Sequence, residues 1–255
     1  MMSRDFTLEI LKELLHELKR KEYKIIPFKD YLNNKNEKII ILRHDVDKLP
    51  LRSLMFAEIE KTLDIIGTYY FRIVKESFNT DILKKIVSMG HEIGYHYEDL
   101  ALANGNYEKA FELYKKHLTE FEKISKVKTI CMHGSPLSKW DNRKLWEKYS
   151  YKDSGIVAEP YFDLDKEKVF YITDTGRRWD GSKVSIRDKV NSSFSNVYKS
   201  TRDIIESIKE NTFPEQVMFT FHPQRWSDGI IDWSSEMIKQ KSKNIIKKVI
   251  VKRIK

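Results

Sequence analysis

Two carboxylates two residues apart, Asp45 and Asp47, close the run KIIILRHDVDK at positions 38–48, and they are the first place where this chain could do chemistry. With the period of two of an extended strand, Arg43, Asp45 and Asp47 fall on one side and His44 and Val46 on the other. Paired acids at the end of a buried strand repel one another and favour protonation unless a cation sits between them. A metal ion is the simplest such cation. The competing reading is that the acids only cap the helix that follows, a task for which one Asp suffices.

Three histidines fall at equivalent places. His96 ends the strand-like stretch 91–96, His133 follows 128–132, and His222 follows 216–221. If these stretches are parallel strands of one barrel, all their C-terminal ends face a single rim, where active sites are assembled from different strands. A lone histidine is more often structural. Imidazoles and carboxylates gathered in one mouth favour a zinc-like divalent ion with open coordination positions.

The elements that must position these groups can be read from periodicity. Ile39, Ile40, Ile41 and Leu42 form a continuous apolar run, three of its four residues β-branched, expected of a strand covered on both faces. Leu8, Ile10, Leu11, Leu14, Leu15 and Leu18 mark a surface helix over 6–20. Further helices are expected over 53–63, 82–89, 106–124, 142–148 and 201–209. Strands are expected over 68–74, 91–96, 128–132, 169–173 and 216–221, an extended piece containing Pro27 over 23–31, and a turn over 33–36. From 159 to 190 the pattern loosens into covering or functional loops. Strand alternating with helix through short connections predicts an α/β chain with one parallel, barrel-like domain over 38–236. It is preceded by a helix and lead-in at 1–37 and followed by a basic tail at 237–255.

Composition narrows the setting. The net charge of +9 suggests nucleic acid, but eight Lys or Arg and no acid lie between 237 and 255, leaving +1 for the rest. No nucleic-acid partner is therefore expected. Ile238, Ile245, Ile246, Val249, Ile250 and Ile254 run through those lysines at roughly helical spacing, which suits a final helix packed on the body or a segment lying on an anionic membrane surface. The opening residues are charged and lack an apolar secretory core, and no stretch reaches the ~18 apolar residues of a membrane span. With Cys131 as the one cysteine, no intramolecular disulfide or cysteine-rich zinc site is available, and a cytoplasmic location is expected.

The succession RHDVD, GTYYFR, GHEIGYHYE, MHGSP, DTGRRWDG and FHPQRW resembles the polysaccharide deacetylase superfamily, the NodB-homology or carbohydrate esterase family 4 fold, from about 39 to 226. The likeness is strongest to divergent members associated with surface-polysaccharide gene clusters. It implies a distorted (β/α) barrel and a divalent metal, zinc by preference, that activates water to remove an N-acetyl group from an amino sugar or nucleotide sugar. Position by position, Asp45 matches the catalytic base, Asp47 a metal ligand, His96 the first ligand histidine, and His222 the general acid. The family's second ligand histidine falls on Leu100. His133 is the first choice to replace it, with Glu98 and Asp99 as alternatives. Asp174 or Asp153 is expected to orient His222. Arg43, Arg178 and Arg225, with Gln224 and Trp179, are expected to bind a carboxylate- or phosphate-bearing sugar; the alternative is that these arginines form structural ion pairs and the tryptophans anchor loops. Competing functions are amide hydrolysis on a carboxyl-bearing sugar, or glycan binding on a decayed site.

Overall fold

The structure, a computed structural model, describes residues 4–34, 38–134, 138–180 and 194–254, with side chains as far as 245. Part of the loop region expected over 159–190, part of the 33–36 turn, and the tail apolar residues Ile246, Val249, Ile250 and Ile254 lie outside the described residues or side chains.

Helix α1 (Leu8–Arg20) starts where the Thr7 side chain accepts the Ile10 N–H, and its six expected apolar residues are all buried. Strand β1 (Lys24–Ile26) and the short helix α2 (Phe28–Tyr31) replace the single extended piece expected there, because Pro27, in extended conformation, stands directly before the first turn of α2. Then come β2 (Ile39–Val46) and α3 (Pro50–Thr62). The residue preceding α3 is Leu49 and no side chain caps the helix, so neither Asp45 nor Asp47 serves as a cap.

The alternation continues with β3 (Thr68–Phe71), α4 (Thr80–Ser88), β4 (Glu92–Tyr97), α5 (Asp99–Leu102), α6 (Tyr107–Glu122) and β5 (Ile130–Met132). Two 3-10 turns, Asn142–Glu147 and Tyr151–Ser154, lead to α7 (Pro160–Asp163) and β6 (Phe170–Thr173). Helix α8 (Thr201–Lys209) opens with a Ser200/Asp203 capping box, followed by β7 (Gln216–Phe221) and the long α9 (Ile230–Ile254).

Every strand pair is parallel, in the order β5-β4-β3-β2-β7-β6. Strand β1 takes the first half of β2's edge, opposite Ile39 to Ile41, and β3 takes the second half, opposite Arg43 to Val46. Among the described residues no ladder joins β5 to β6, so the sheet curls into a distorted, open (β/α) barrel with α1, α3, α4, α6 and α8 outside. Alternation along β2 sorts its side chains as expected of a strand covered on both faces: Ile40 and Leu42 join the large cluster beneath the helices, and Ile39 and Ile41 join a smaller one with Phe28, Val169 and Met218. Arg43 and Asp45 continue the face of Ile39 and Ile41. The inner face is thus apolar at its base and charged at its rim.

Gly94 in β4 marks how closely this wall is packed. A Cβ there would lie 2.3 Å from Tyr70 Cε1 and 2.8 Å from the Thr129 carbonyl oxygen, which belongs to backbone and cannot swing away. Gly94→Ala is expected to cost about 1–3 kcal/mol, read from the urea unfolding midpoint.

Helix α9 is tied to the body over the part whose side chains are described. Arg52 pairs with Asp232 at 2.6 Å, Glu236 lies 3.8 Å from Lys48, and Asn244 donates to the Gly176 carbonyl at 2.9 Å. Gln240 is buried against the body, while Ile238 and Ile245 are exposed. No helix among the described residues is long and apolar enough to cross a membrane.

Candidate metal centre and its catalytic groups

The parallel topology brings the ends of β2, β4, β5, β6 and β7 to one rim, and with them Asp45, Asp47, His96, His133, Asp174 and His222. Asp47, His96 and His133 come together: their donor atoms all lie within 4.8 Å of one another. Asp47 Oδ1 is 3.7 Å from His96 Nε2 and 3.6 Å from His133 Nε2.

Both imidazoles are held so that Nε2 faces inward. His96 Nδ1–H donates to the Cys131 carbonyl at 2.9 Å, and His133 Nδ1–H donates to Glu98 Oε2 at 2.8 Å. Each hydrogen bond places a proton on Nδ1, so that the neutral ring offers its Nε2 lone pair inward; for His133 burial favours that neutral form, but the Glu98 hydrogen bond and the Asp47 charge outweigh it and raise the imidazole. Burial pushes the His96 imidazole well below its ordinary pKa, which keeps it neutral. For Asp47, burial raises the carboxyl, but the imidazoles of His133, His222 and His96 outweigh it and hold the group below the usual carboxylate range. Its Oδ2 accepts a hydrogen bond from Gln224 Nε2 at 3.0 Å, whereas its Oδ1 is buried and has no hydrogen-bond partner among the described residues. An orphaned carboxylate oxygen facing two imidazole lone pairs is costly unless something positive bonds all three. The donor set therefore fits a divalent ion of zinc type, with Asp47, His96 and His133 as the residues to hold it.

Leu100, the position on which the resemblance places a second ligand histidine, does not face these donors. Leu100 is fully buried in the large apolar cluster. Asp99 is turned away, accepting from the Tyr95 hydroxyl and lying 2.7 Å from His117 Nδ1. Glu98 does not face the centre as a ligand. It stands behind His133, and Arg72 in turn grips its Oε1 at 2.8 and 2.6 Å. Burial raises the Glu98 carboxyl, but His133 and Arg72 more than reverse this. The main chain at His133 is pinned as well: its N–H donates to Tyr97 O, its carbonyl accepts from Asn142 Nδ2, and Glu159 holds the preceding Met132 N–H at 2.9 Å. Glu98→Gln, which leaves Arg72 in place but weakens the acceptor of the His133 proton, is expected to lower zinc affinity about 10–100-fold in a competitive chelator titration.

Two carboxylate-centred pairs flank the three donors. Arg43 Nε and Nη2 bind Asp45 Oδ1 and Oδ2 at 2.8 and 2.6 Å, and Asp45 Oδ2 lies 3.7 Å from His96 Nε2. On the other side His222 Nδ1–H donates to Asp174 Oδ1 at 2.6 Å and its backbone N–H to Oδ2 at 2.9 Å. Asp174 also accepts from Arg225 Nη1 at 2.8 Å and from the Trp226 indole at 2.7 Å. Burial raises the Asp174 carboxyl, but His222 and Arg225 hold it below its ordinary value. The DTG motif builds this partner: Arg177 N–H closes a turn onto the Asp174 carbonyl, with Gly176 at φ 80° where a side chain is disfavoured. Asp153, the alternative orienting acid, is exposed on the 3-10 turn Tyr151–Ser154.

The residues expected to bind substrate are placed differently. Arg43 is 1% exposed and clamped to Asp45, because an arginine buried on the barrel's inner face must find a carboxylate. Trp179 is a loop anchor, its ring packed among Phe6, Phe219 and Trp226 and its indole N–H bonded to Thr201. Gln224 positions Asp47, and Arg225 supports Asp174. Arg178 pairs with Asp180 at the edge of a separate groove beside α9. Of the remaining histidines, His44 points to the opposite face, 2.8 Å from buried Glu60, and His91 sits in the core between Gly67 N and the Ala57 carbonyl. The support given by Arg72 was not read from the sequence, although its place at the end of the β3 run was the available signal.

No family model and no curated protein matches the chain. Solved structures do match it. A CE4-family pseudoenzyme from Bacillus anthracis is 16% identical at a TM-score of 0.46, covering 81% of this chain, which spans 62% of the length of that one. A family 4 carbohydrate esterase from Bacillus anthracis is 12% identical at a TM-score of 0.43, covering 89% of this chain and 83% of that one. Bacillus subtilis PdaA, a family 4 carbohydrate esterase, is 13% identical at a TM-score of 0.40, covering 90% and 83%.

Proposed function

We propose that this chain is a metal-dependent deacetylase acting on an N-acylated amino sugar. The observation that carries the reading is the orphaned Asp47 Oδ1 facing the free Nε2 atoms of His96 and His133, between an Arg43–Asp45 pair and an Asp174–His222 pair. A divalent ion held by Asp47, His96 and His133 would polarise an amide carbonyl and bring the pKa of a coordinated water toward neutrality.

The chain's own groups supply the proton transfers. Asp45, fixed in plane by Arg43, keeps a lone pair on Oδ2 toward the His96 side of the mouth, where it can take a proton from attacking water. His222 keeps Nδ1–H on Asp174 and presents Nε2 to the departing nitrogen; the Asp174 carboxylate compensates the charge of the protonated ring. Each positioned proton donor or acceptor contributes about 10²–10⁴-fold. Amide rather than ester hydrolysis suits this pairing, because an amine leaves only when it is protonated.

Incubation with N-acetylglucosamine derivatives and added zinc tests the reading by two products. Zinc-dependent acetate release supports it. Ammonia from an amidated sugar in place of acetate, or acetate release unaffected by His96→Ala, overturns it.

A further inference from the structure

Trp233, Gln240 and Asn244 share one side of helix α9, which turns by ~100° per residue. That side is held by the body: the Trp233 indole N–H donates to the Asp5 carbonyl at 2.6 Å, Gln240 is buried, and Asn244 donates to the Gly176 carbonyl at 2.9 Å. The opposite side carries Ile231, Ile238 and Ile245, which are 85%, 61% and 65% exposed. They stand seven residues apart in the sequence. Each such step drifts only ~20° around a helix, so the three isoleucines form one outward stripe. Lys239 and Lys241 fall on either side of it, and both are exposed.

Two exposed leucines, Leu49 and Leu51, lie beside the start of this helix. Their loop is tied to α9 at both ends, Lys48 lying 3.8 Å from Glu236 and Arg52 2.6 Å from Asp232. Leu49 has φ 54°, a left-handed backbone that is costly for leucine and easy for glycine or asparagine. Neither burial nor backbone freedom accounts for a leucine at that place.

We propose that the outward face of α9, with Leu49 and Leu51, docks on an anionic membrane surface. The helix then lies in the interfacial plane, its isoleucines among the upper acyl chains and its lysines among the lipid phosphates. Charge selects this occupant. Eight Lys or Arg and no acid lie between 237 and 255. The two acids of α9, Asp232 and Glu236, already face Arg52 and Lys48. A second copy of the chain laid along the stripe brings like charges together at the flanks of the seam, where complementary ones are needed. A nucleic acid attracts the lysines but leaves the isoleucines in water. An anionic bilayer serves both, because interfacial binding sums buried apolar area and attraction to headgroups. Leu49 stands two residues past Asp47, so the docked face adjoins the candidate metal centre. The proposal does not rest on the deacetylase reading.

Co-sedimentation of the full-length protein with extruded vesicles tests it. Binding is expected to phosphatidylglycerol mixed with phosphatidylcholine and not to phosphatidylcholine alone, and it should weaken as salt is raised. Ile238→Glu and the double variant Lys239→Glu/Lys241→Glu are each expected to weaken binding about tenfold or more. All three side chains are exposed, so circular dichroism should match wild type. Leu49→Asn should weaken vesicle binding while leaving the urea midpoint no lower than wild type, because asparagine accepts the left-handed backbone; a leucine kept for stability alone would show the reverse. No binding, equal binding to both vesicle types, binding indifferent to Ile238→Glu or to Leu49→Asn, or a dimer in sedimentation velocity that Ile238→Glu dissolves, overturns the proposal.

Discussion

Asp47→Ala protein is expected to lose zinc affinity by more than the ~10–100-fold typical of a supporting residue, and to release no acetate from an N-acetylated sugar. The size of the effect follows from what Asp47 does. Among the described residues it is the one carboxylate within reach of both imidazole Nε2 atoms, and its Oδ1 has no hydrogen-bond partner there. Removing it leaves two imidazoles, an incomplete set for a structural or catalytic zinc site. The fold should survive, since the side chain is 24% exposed, follows the last residue of β2, and has Gln224 as its one side-chain hydrogen-bond partner among the described residues. Circular dichroism matching wild type, together with lost metal, is the expected pair of readouts. Retained zinc at wild-type affinity would remove Asp47 from the centre.

Asp174→Asn is the complementary case, with metal kept and turnover lost. Four donors converge on the Asp174 carboxylate, from His222 Nδ1 and N, Arg225 and Trp226. An asparagine presents an NH₂ to one pair of them. The His222 ring then loses the acceptor that fixes its tautomer and balances its charge, for which a fall in kcat of about 10⁴-fold is expected. Breaking a buried charged network also costs on the order of 3 kcal/mol of stability. Zinc affinity should remain within a few fold of wild type, because Asp174 touches none of the three donors. Combining it with His222→Ala should add little to the loss from His222→Ala alone, as expected of residues acting as a unit.

Much of the fold could be read from the chain because its signals are local. The apolar run 39–42 and the leucines of α1 each carry the period of their element, and parallel alternation then forces the acids and histidines to one rim. The span of α8, Thr201–Lys209, and of β7, Gln216–Phe221, follow directly from such patterns. What the sequence left open is long-range. Whether Glu98, Asp99 or His133 stands nearest Asp47 depends on Arg72, 26 residues before Glu98, drawing that carboxylate behind the ring. Whether Arg43 meets substrate or Asp45 depends on the burial of the inner face, and Trp179 is taken by the α1 lead-in residue Phe6. Types and spacing locate charged groups along the chain; their partners are set by packing between distant elements.

We propose that Asp47, His96 and His133, whose donor atoms lie within 4.8 Å of one another, hold one divalent ion at the rim of this barrel. Zinc titration of the apo protein, followed by elemental analysis after gel filtration, decides the point. Uptake saturating at one zinc per chain, lost in each of Asp47→Ala, His96→Ala and His133→Ala but kept in Asp174→Asn, is the expected result. No zinc retained by wild-type protein, or retention unchanged in the three ligand variants, would contradict it.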